Sequence, residues 1–295
     1  MGKTTVARAL AGALGEAYEV FYLPEPMRYW RGAGENDLVS RVYDTQRRVD
    51  RGEINAREAA DIIVGTQLLM STPYVTLDRV IAPHLGDEIG HNDATPPGLV
   101  LIFDRHPIAA LLCYPVARYL VGCLSIDAVI ALIALMPPIA PGTNLVMGAV
   151  PEETHLARLA GRGRRGESTD VRMLLAIRRT YDLLLNTVRY LRCGGRWRED
   201  ARKGAERATL FDLIRRAEPA RACAEPRGWA LDLLADRLRR LHVFVINYGA
   251  PPESCVDQIA RLVPAMVQTT TPEPSARRAV VDAAAAFVRD MPECE

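Results

Sequence analysis

The chain has 295 residues, 49% of them hydrophobic and 25% charged, with a formal net charge of +1. That length can bury a core without disulfides or metal, and that balance excludes a disordered or collagenous chain and argues against a nucleic-acid coat. Lysine stands only at Lys3 and Lys203, so 35 of the 37 basic residues are arginine, most of them read as a coding bias on a solvated surface.

A short Gly-Lys-Thr-Thr start enters a helix over residues 6–14, and Val20-Phe21-Tyr22-Leu23 reads as a buried strand closed by Pro24-Glu25-Pro26. Helical spacing returns over 37–49. Another helix begins at Asn55, runs through the Met70 region and is expected to kink or end at Pro73, whose ring removes a backbone donor. Residues 86–97 are polar and turn-rich, and then Leu99-Val100-Leu101-Ile102-Phe103 is the clearest buried strand, running straight into Asp104-Arg105-His106-Pro107.

Helices are expected over 109–120 and 126–136, a third strand over 144–147, and a helix start over 151–159 that gives way to an Arg/Gly-rich segment ending at Gly166. A strong helical period covers 171–191, residues 194–226 are basic and only partly helical, a helix covers 229–241, and Val243-Phe244-Val245-Ile246 is a fourth strand. A linker over 269–274 precedes a terminal helix of about 276–290. Continuous apolar strands alternating with helices predict a parallel sheet covered on both faces, an α/β fold of three layers. The organisation expected is one domain over 1–295, with a lid segment at about 158–167 and a variable loop at about 200–226.

The six cysteines form no C-x-x-C pair, so neither a zinc knuckle nor a disulfide framework is indicated, which suits a reducing compartment. The longest apolar run, 128–136, is too short to span a bilayer, and no signal peptide is evident. These features predict an intracellular protein without a membrane partner.

In such sheets ligands bind beyond the carboxyl ends of the strands. Glu25 follows one strand there, and Asp104 and Arg105 follow another. A carboxylate after a strand can also cap the next helix. Gly2-Lys3-Thr4-Thr5 is the second half of a phosphate-binding loop, G-x-x-x-x-G-K-[ST], whose lysine meets phosphate and whose threonine hydroxyl meets Mg²⁺. Taken alone that tripeptide is a weak signal. Glu25, Asp104 and Arg105 add the types that phosphoryl transfer needs: a base for the attacking hydroxyl, a carboxylate that organises metal and a cation for developing charge. Arg158, Arg162, Arg164 and Arg165 lie among Gly161, Gly163 and Gly166, a composition that suits a phosphate clamp as well as a solvated basic helix end.

Pro24-Glu25-Pro26-Met27-x-Tyr29-Trp30, the run from Phe103 to Pro115, Gly142-Thr143-Asn144 and Arg158-x-x-x-Arg162-x-Arg164 together resemble the thymidine kinases of alphaherpesviruses, of the herpes simplex type, over nearly the whole chain. The resemblance implies a P-loop kinase fold that moves the γ-phosphate of ATP to the 5′-hydroxyl of thymidine with Mg²⁺, in nucleotide salvage for viral DNA synthesis. It implies a homodimer, and acceptance of thymidylate, deoxycytidine and nucleoside analogues. Position by position, Glu25 would be the general base. Gly2, Lys3, Thr4 and Thr5 would hold phosphates, with Thr4 and Asp104 organising Mg²⁺. Arg105 would bind the 5′ side of the substrate and stabilise the transferring phosphoryl group. Gln67 would pair with the thymine edge, an amide offering both donor and acceptor. Met70 and Tyr114 would sandwich the base, Arg118 would line its pocket, and Trp30 and Tyr74 would shape the wall. Tyr43 and Glu167 would hold the 3′-hydroxyl. Arg158 would reach ATP, with Arg162 and Arg164 closing on phosphate and substrate.

Read without that joint pattern, Met70 and Tyr114 are ordinary core side chains and Gln67 an ordinary surface amide. His106 is expected to pack or cap rather than catalyse, and Cys113 to be a small buried residue. Thr154 stands where the herpes simplex type has arginine, and 200–225 is shorter than the family's loop. The first half of the phosphate loop and the central strand that feeds it are not in the sequence, which predicts unpaired strand edges, a poorly folded or nearly inactive protein, and a translation start upstream. The rival readings are a related deoxynucleoside or nucleoside-monophosphate kinase, a truncated product that dimerises or binds nucleotide without efficient turnover, and an arginine-rich nucleic-acid binder; the last is opposed by the near-neutral charge.

Overall fold

The computed structural model describes residues 2–32, 37–89, 98–161, 171–199, 208–219, 223–271 and 273–291. The order begins α1 (Lys3–Leu14), β1 (Glu19–Leu23), α2 (Met27–Gly32), α3 (Leu38–Asp50), α4 (Ala56–Ile81), β2 (Glu88–Ile89) and β3 (Leu99–Phe103). A π-helical turn, Ala109–Cys113, then leads into α5 (Tyr114–Leu120), α6 (Ile126–Ala134), β4 (Asn144–Ala149), α7 (Glu152–Ala160) and α8 (Val171–Arg192). The chain continues with α9 (Leu210–Ala217), α10 (Arg227–Arg239), β5 (His242–Asn247), α11 (Pro252–Leu262), β6 (Gln268–Thr269) and α12 (Pro274–Asp290).

Strand polarity and side-chain alternation generate the layers. β1 pairs in parallel with β3, Tyr22 opposite Ile102, and β4 pairs in parallel with β5, Asn144 opposite His242. Successive side chains on a strand point to opposite faces. Val20, Val100, Ile102, Val146 and Ile246 accordingly turn to one side, where they meet Val6, Leu10 and Leu14 of α1 and Val256 and Ile259 of α11. Phe21, Leu23, Leu99 and Leu101 turn the other way, onto α4 and α12, while Leu145 and Val243 turn toward the large core made by α5, α6, α8 and α10. Helices therefore cover both faces, as the sequence predicts. Among the described residues the two parallel pairs share no strand, so α1 and α11 tie them together through one apolar cluster.

Most elements lie where the hydrophobic spacing puts them, and the differences have local causes. α4 does not stop at Pro73 but runs on to Ile81. Tyr74, Leu77 and Ile81, all buried beyond the proline, pack with Val280, Ala284 and Phe287 of α12. That burial offsets the one helix bond a proline forfeits. The stretch over 109–120, read as one helix, opens with the π-helical turn before α5. α11, with proline at its first helical position, was not anticipated, and β6 occupies the head of the stretch read as a linker, pairing antiparallel with β2.

Candidate active site

The carboxyl ends of β1 and β3 lie side by side, and the ladder continues past them: the backbone N–H of Asp104 donates to Leu23 O at 2.9 Å. This sets Glu25, Asp104 and Arg105 in one place. Thr4, in the first turn of α1, donates its hydroxyl to Asp104 Oδ2 at 2.6 Å, and the Tyr22 hydroxyl donates to the same oxygen at 3.3 Å. The charge of Asp104 together with burial pushes the Tyr22 phenol up, so it remains a donor. Gly2 caps α1 with φ 90°, a left-handed conformation that glycine adopts without strain. The first N–H groups of a helix have no intrahelical acceptor, so this end of α1 faces the cluster as an anion-binding terminus.

Glu25 and Arg105 form the centre. Arg105 Nε lies 2.5 Å from Glu25 Oε1. The contact is an ion pair by distance, because that Nε–H meets no acceptor in hydrogen-bond geometry. Arg105 Nη1 donates to the Tyr114 hydroxyl, and the guanidinium carbon sits 5.2 Å from the Tyr114 ring centroid and 5.8 Å from that of Trp30. Burial pulls the guanidinium pKa down, but Glu25 and the surrounding tyrosines reverse that and hold it well above its ordinary value. Arg105 has φ 148°, the only non-glycine residue with positive φ among those described. Such a conformation costs about 1–3 kcal/mol and concentrates at functional sites. His106 follows. Its Nδ1 accepts from the Ile108 N–H at 3.3 Å, and burial lowers its pKa to about 4, so it caps as a neutral ring, as expected.

Three helices present, in helical rows, the residues that the sequence reading expects on the nucleoside side. α4 carries Gln67, Met70 and Tyr74, α5 carries Tyr114 and Arg118, and α3 carries Tyr43. Trp30 of α2 donates its indole N–H to Met70 O at 2.9 Å and meets Tyr74 edge-on at 6.4 Å, and Tyr74 in turn stacks on Phe287. These contacts fix the wall. Gln67 is 2% exposed and its Oε1 has no hydrogen-bond partner among the described residues; the Tyr74 hydroxyl and Arg118 Nε share that condition. Burial raises the Tyr74 pKa well above the ordinary phenol value, while the charges of Arg105, Glu25 and Asp104 all bear on it, which places this wall beside the charged centre. Cys113, in the π-helical turn, is buried with its pKa pushed up to about 12, an unreactive thiol in keeping with the packing role expected of it.

The structure thus brings together Thr4, Glu25, Trp30, Met70, Tyr74, Asp104, Arg105 and Tyr114, with Gln67, Arg118 and Tyr43 on the neighbouring helices. Lys3 and Thr5 are exposed at the head of α1. Arg158 Nη1 donates to Tyr248 O at 2.9 Å, and its guanidinium lies 5.6 Å from the Tyr248 ring centroid. Arg162, Arg164 and Glu167 are outside the described residues. The sequence reading missed three participants: Tyr22, Gln46 and Tyr248. Tyr22 was detectable, since period-2 alternation puts it on the same sheet face as α1.

A family model described as thymidine kinase from herpesvirus matches residues 1–206. The chain is 55% identical to the thymidine kinase of Bovine herpesvirus 2 (strain BHM-1) over all of this chain and 96% of that protein. It is 47% identical to the thymidine kinase of Human herpesvirus 1 (strain 17) over 99% of this chain and 84% of that protein. Among solved structures, EHV4-TK complexed with Thy and ADP superposes with a TM-score of 0.84 at 32% identity, covering 99% of this chain and 95% of that one.

Proposed function

The chain belongs to the thymidine kinases of herpesviruses, and from that premise we propose that it transfers the γ-phosphoryl group of ATP to the 5′-hydroxyl of thymidine, with Glu25 as the base. The observation that carries the assignment of roles is the Glu25–Arg105 pair, 2.5 Å apart at the joined ends of two parallel strands, beside Thr4 and Asp104. The 5′-hydroxyl gives its proton to a Glu25 carboxylate oxygen as its own oxygen bonds to the γ-phosphorus. The bond from that phosphorus to the bridging oxygen breaks, and ADP leaves with the electron pair. Arg105 stabilises charge that builds on the transferring group. Its partners Glu25, Tyr114 and Trp30 hold the guanidinium in place beforehand.

Gln67 reads the base. A buried amide whose oxygen has no partner among the described residues supplies an acceptor for an imide N–H, and its nitrogen a donor for the adjacent carbonyl, the pattern a thymine edge presents. Met70 and Tyr114 flank the ring, Arg118 lines the pocket and Tyr43 binds the sugar. Gly2, Lys3, Thr4 and Thr5 hold ATP phosphates at the head of α1, Arg158 reaches the nucleotide, and Arg162, Arg164 and Glu167 complete the phosphate and sugar contacts. A hydroxyl and a carboxylate 2.6 Å apart fit Mg²⁺, which takes few protein oxygens and completes its shell with phosphate and water. Thr4 and Asp104 would hold the ion there, and it would supply positive charge against the phosphates. The kinase works as one domain inside the infected cell and as a homodimer; the exposed Trp229 and Leu233 on α10 offer an apolar surface for pairing.

Glu25→Gln tests this reading. Thymidine phosphorylation followed by ADP release should fall about 10²–10⁴-fold, the usual contribution of a positioned base. A loss of less than about threefold in the folded variant would remove Glu25 from that role.

A further inference from the structure

Arg118 is 3% exposed, and its Nε meets no acceptor. Among the described residues no carboxylate comes within ion-pair distance of it; the neighbours that bear on its charge are Tyr43, Cys123 and Tyr114. A buried guanidinium without a counter-ion is costly, and a long side chain in that situation must be held by something neutral if it is to keep one orientation. The only hydrogen bond to its side chain among the described residues is with Gln46, whose Oε1 accepts from Arg118 Nη1 at 3.4 Å. Gln46 is itself 3% exposed. Its Nε2 donates to Asp50 Oδ1 at 3.1 Å, one turn further along α3, and Asp50 Oδ2 lies 3.1 Å from Arg172 Nη2 at the rim.

The direction of this row matters. Because Asp50 can only accept, it claims the amide nitrogen of Gln46 and turns the amide oxygen toward Arg118. A glutamine so oriented fixes a cation without neutralising it. A carboxylate in the same place would pair with the guanidinium and compete with any carbonyl oxygen offered by a ligand.

We infer that Gln46, its amide fixed by Asp50, is a positioning residue that holds the Arg118 guanidinium toward the nucleoside base and so contributes to recognition of a pyrimidine carbonyl. This rests on the reading of Arg118 as part of the base pocket. Gln46 does not touch the substrate; it acts through Arg118, and Asp50 acts through Gln46.

The experiment is steady-state kinetics of the full chain with thymidine and ATP varied in turn. Gln46→Leu should raise the thymidine KM about tenfold while the ATP KM and kcat stay within about twofold, the scale of one hydrogen bond to a charged group. Asp50→Ala, which removes the acceptor that holds the amide nitrogen of Gln46, should move the thymidine KM the same way by about two- to threefold. In an Arg118→Leu background, Gln46→Leu should add less than about twofold, because its effect passes through the missing guanidinium. If Arg118→Leu alone leaves the thymidine KM unchanged, the pocket reading fails. If Arg118→Leu raises it and Gln46→Leu does not, or if Gln46→Leu raises the KM of both substrates alike, the positioning role fails while the pocket reading stands. Should Gln46→Leu not fold, Asp50→Ala decides: an unchanged thymidine KM overturns the inference.

Discussion

The phosphate side and the nucleoside side of the site solve the cost of buried polarity in opposite ways. On the phosphate side the charged groups pair with one another: Glu25 with Arg105, and Asp104 with Thr4 and Tyr22. On the proposed nucleoside side, buried polar atoms of Gln67, Tyr74 and Arg118 have no hydrogen-bond partner among the described residues. A buried polar atom left alone costs about 1–3 kcal/mol, which a ligand with matching groups returns on binding. On the proposed roles, the charged centre is organised before any ligand arrives, and selectivity for the base would be carried by these unmatched groups.

Substitutions can break that contrast. The largest effect is expected at Arg105. Arg105→Leu removes the cation that faces the transferring group and should lower kcat by about 10²–10³-fold, with the thymidine KM changed much less. Gln67→Leu should raise the thymidine KM about 10- to 100-fold and leave any slow ATP hydrolysis untouched, since it discards a matched pair only on the nucleoside side. Arg158→Ala should raise the ATP KM about fivefold without altering that for thymidine, reflecting a single half-exposed cation held by Tyr248.

The smallest effect is on stability against pH. His106 has its pKa lowered from 6.5 to about 4 in the folded chain, so the unfolded chain takes up the proton first as the pH drops. Its contribution is complete above about pH 6.5 and is lost as the pH falls toward about 4. Asp78 has the opposite sign: burial raises its pKa to about 6, so its unfavourable contribution grows as the pH rises through that value. Urea midpoints at pH 7 and pH 5 should fall less with acidification in His106→Asn than in the parent, and Asp78→Asn should be the more stable chain at pH 7.

Much of this was legible in the sequence, and the reasons are specific. The run Leu99-Val100-Leu101-Ile102-Phe103 is legible as a strand with helices on both faces. It is half-buried rather than buried, and Phe103 is 38% exposed, because among the described residues β3 has a strand neighbour on one edge only. The residues just beyond it, Asp104 and Arg105, fall at the carboxyl edge by topology alone. Gln67, Met70 and Tyr74 share one helical face by spacing. Pro73 misled because a local rule met tertiary packing: Tyr74, Leu77 and Ile81 bury against α12, and no reading of the helix in isolation contains that partner. Gln46 was invisible for a related reason. A glutamine on an arginine-rich helix looks solvated until α5 brings Arg118 against it. The π-helical turn at Ala109–Cys113, which precedes Tyr114, likewise has no distinct residue pattern.

Calorimetric titration of thymidine into the parent chain, Glu25→Gln and Gln67→Leu tests the division of labour most directly. The account predicts that Glu25→Gln binds thymidine within about threefold of the parent while Gln67→Leu binds it at least about tenfold more weakly. Tight binding by Gln67→Leu together with lost binding by Glu25→Gln would contradict it.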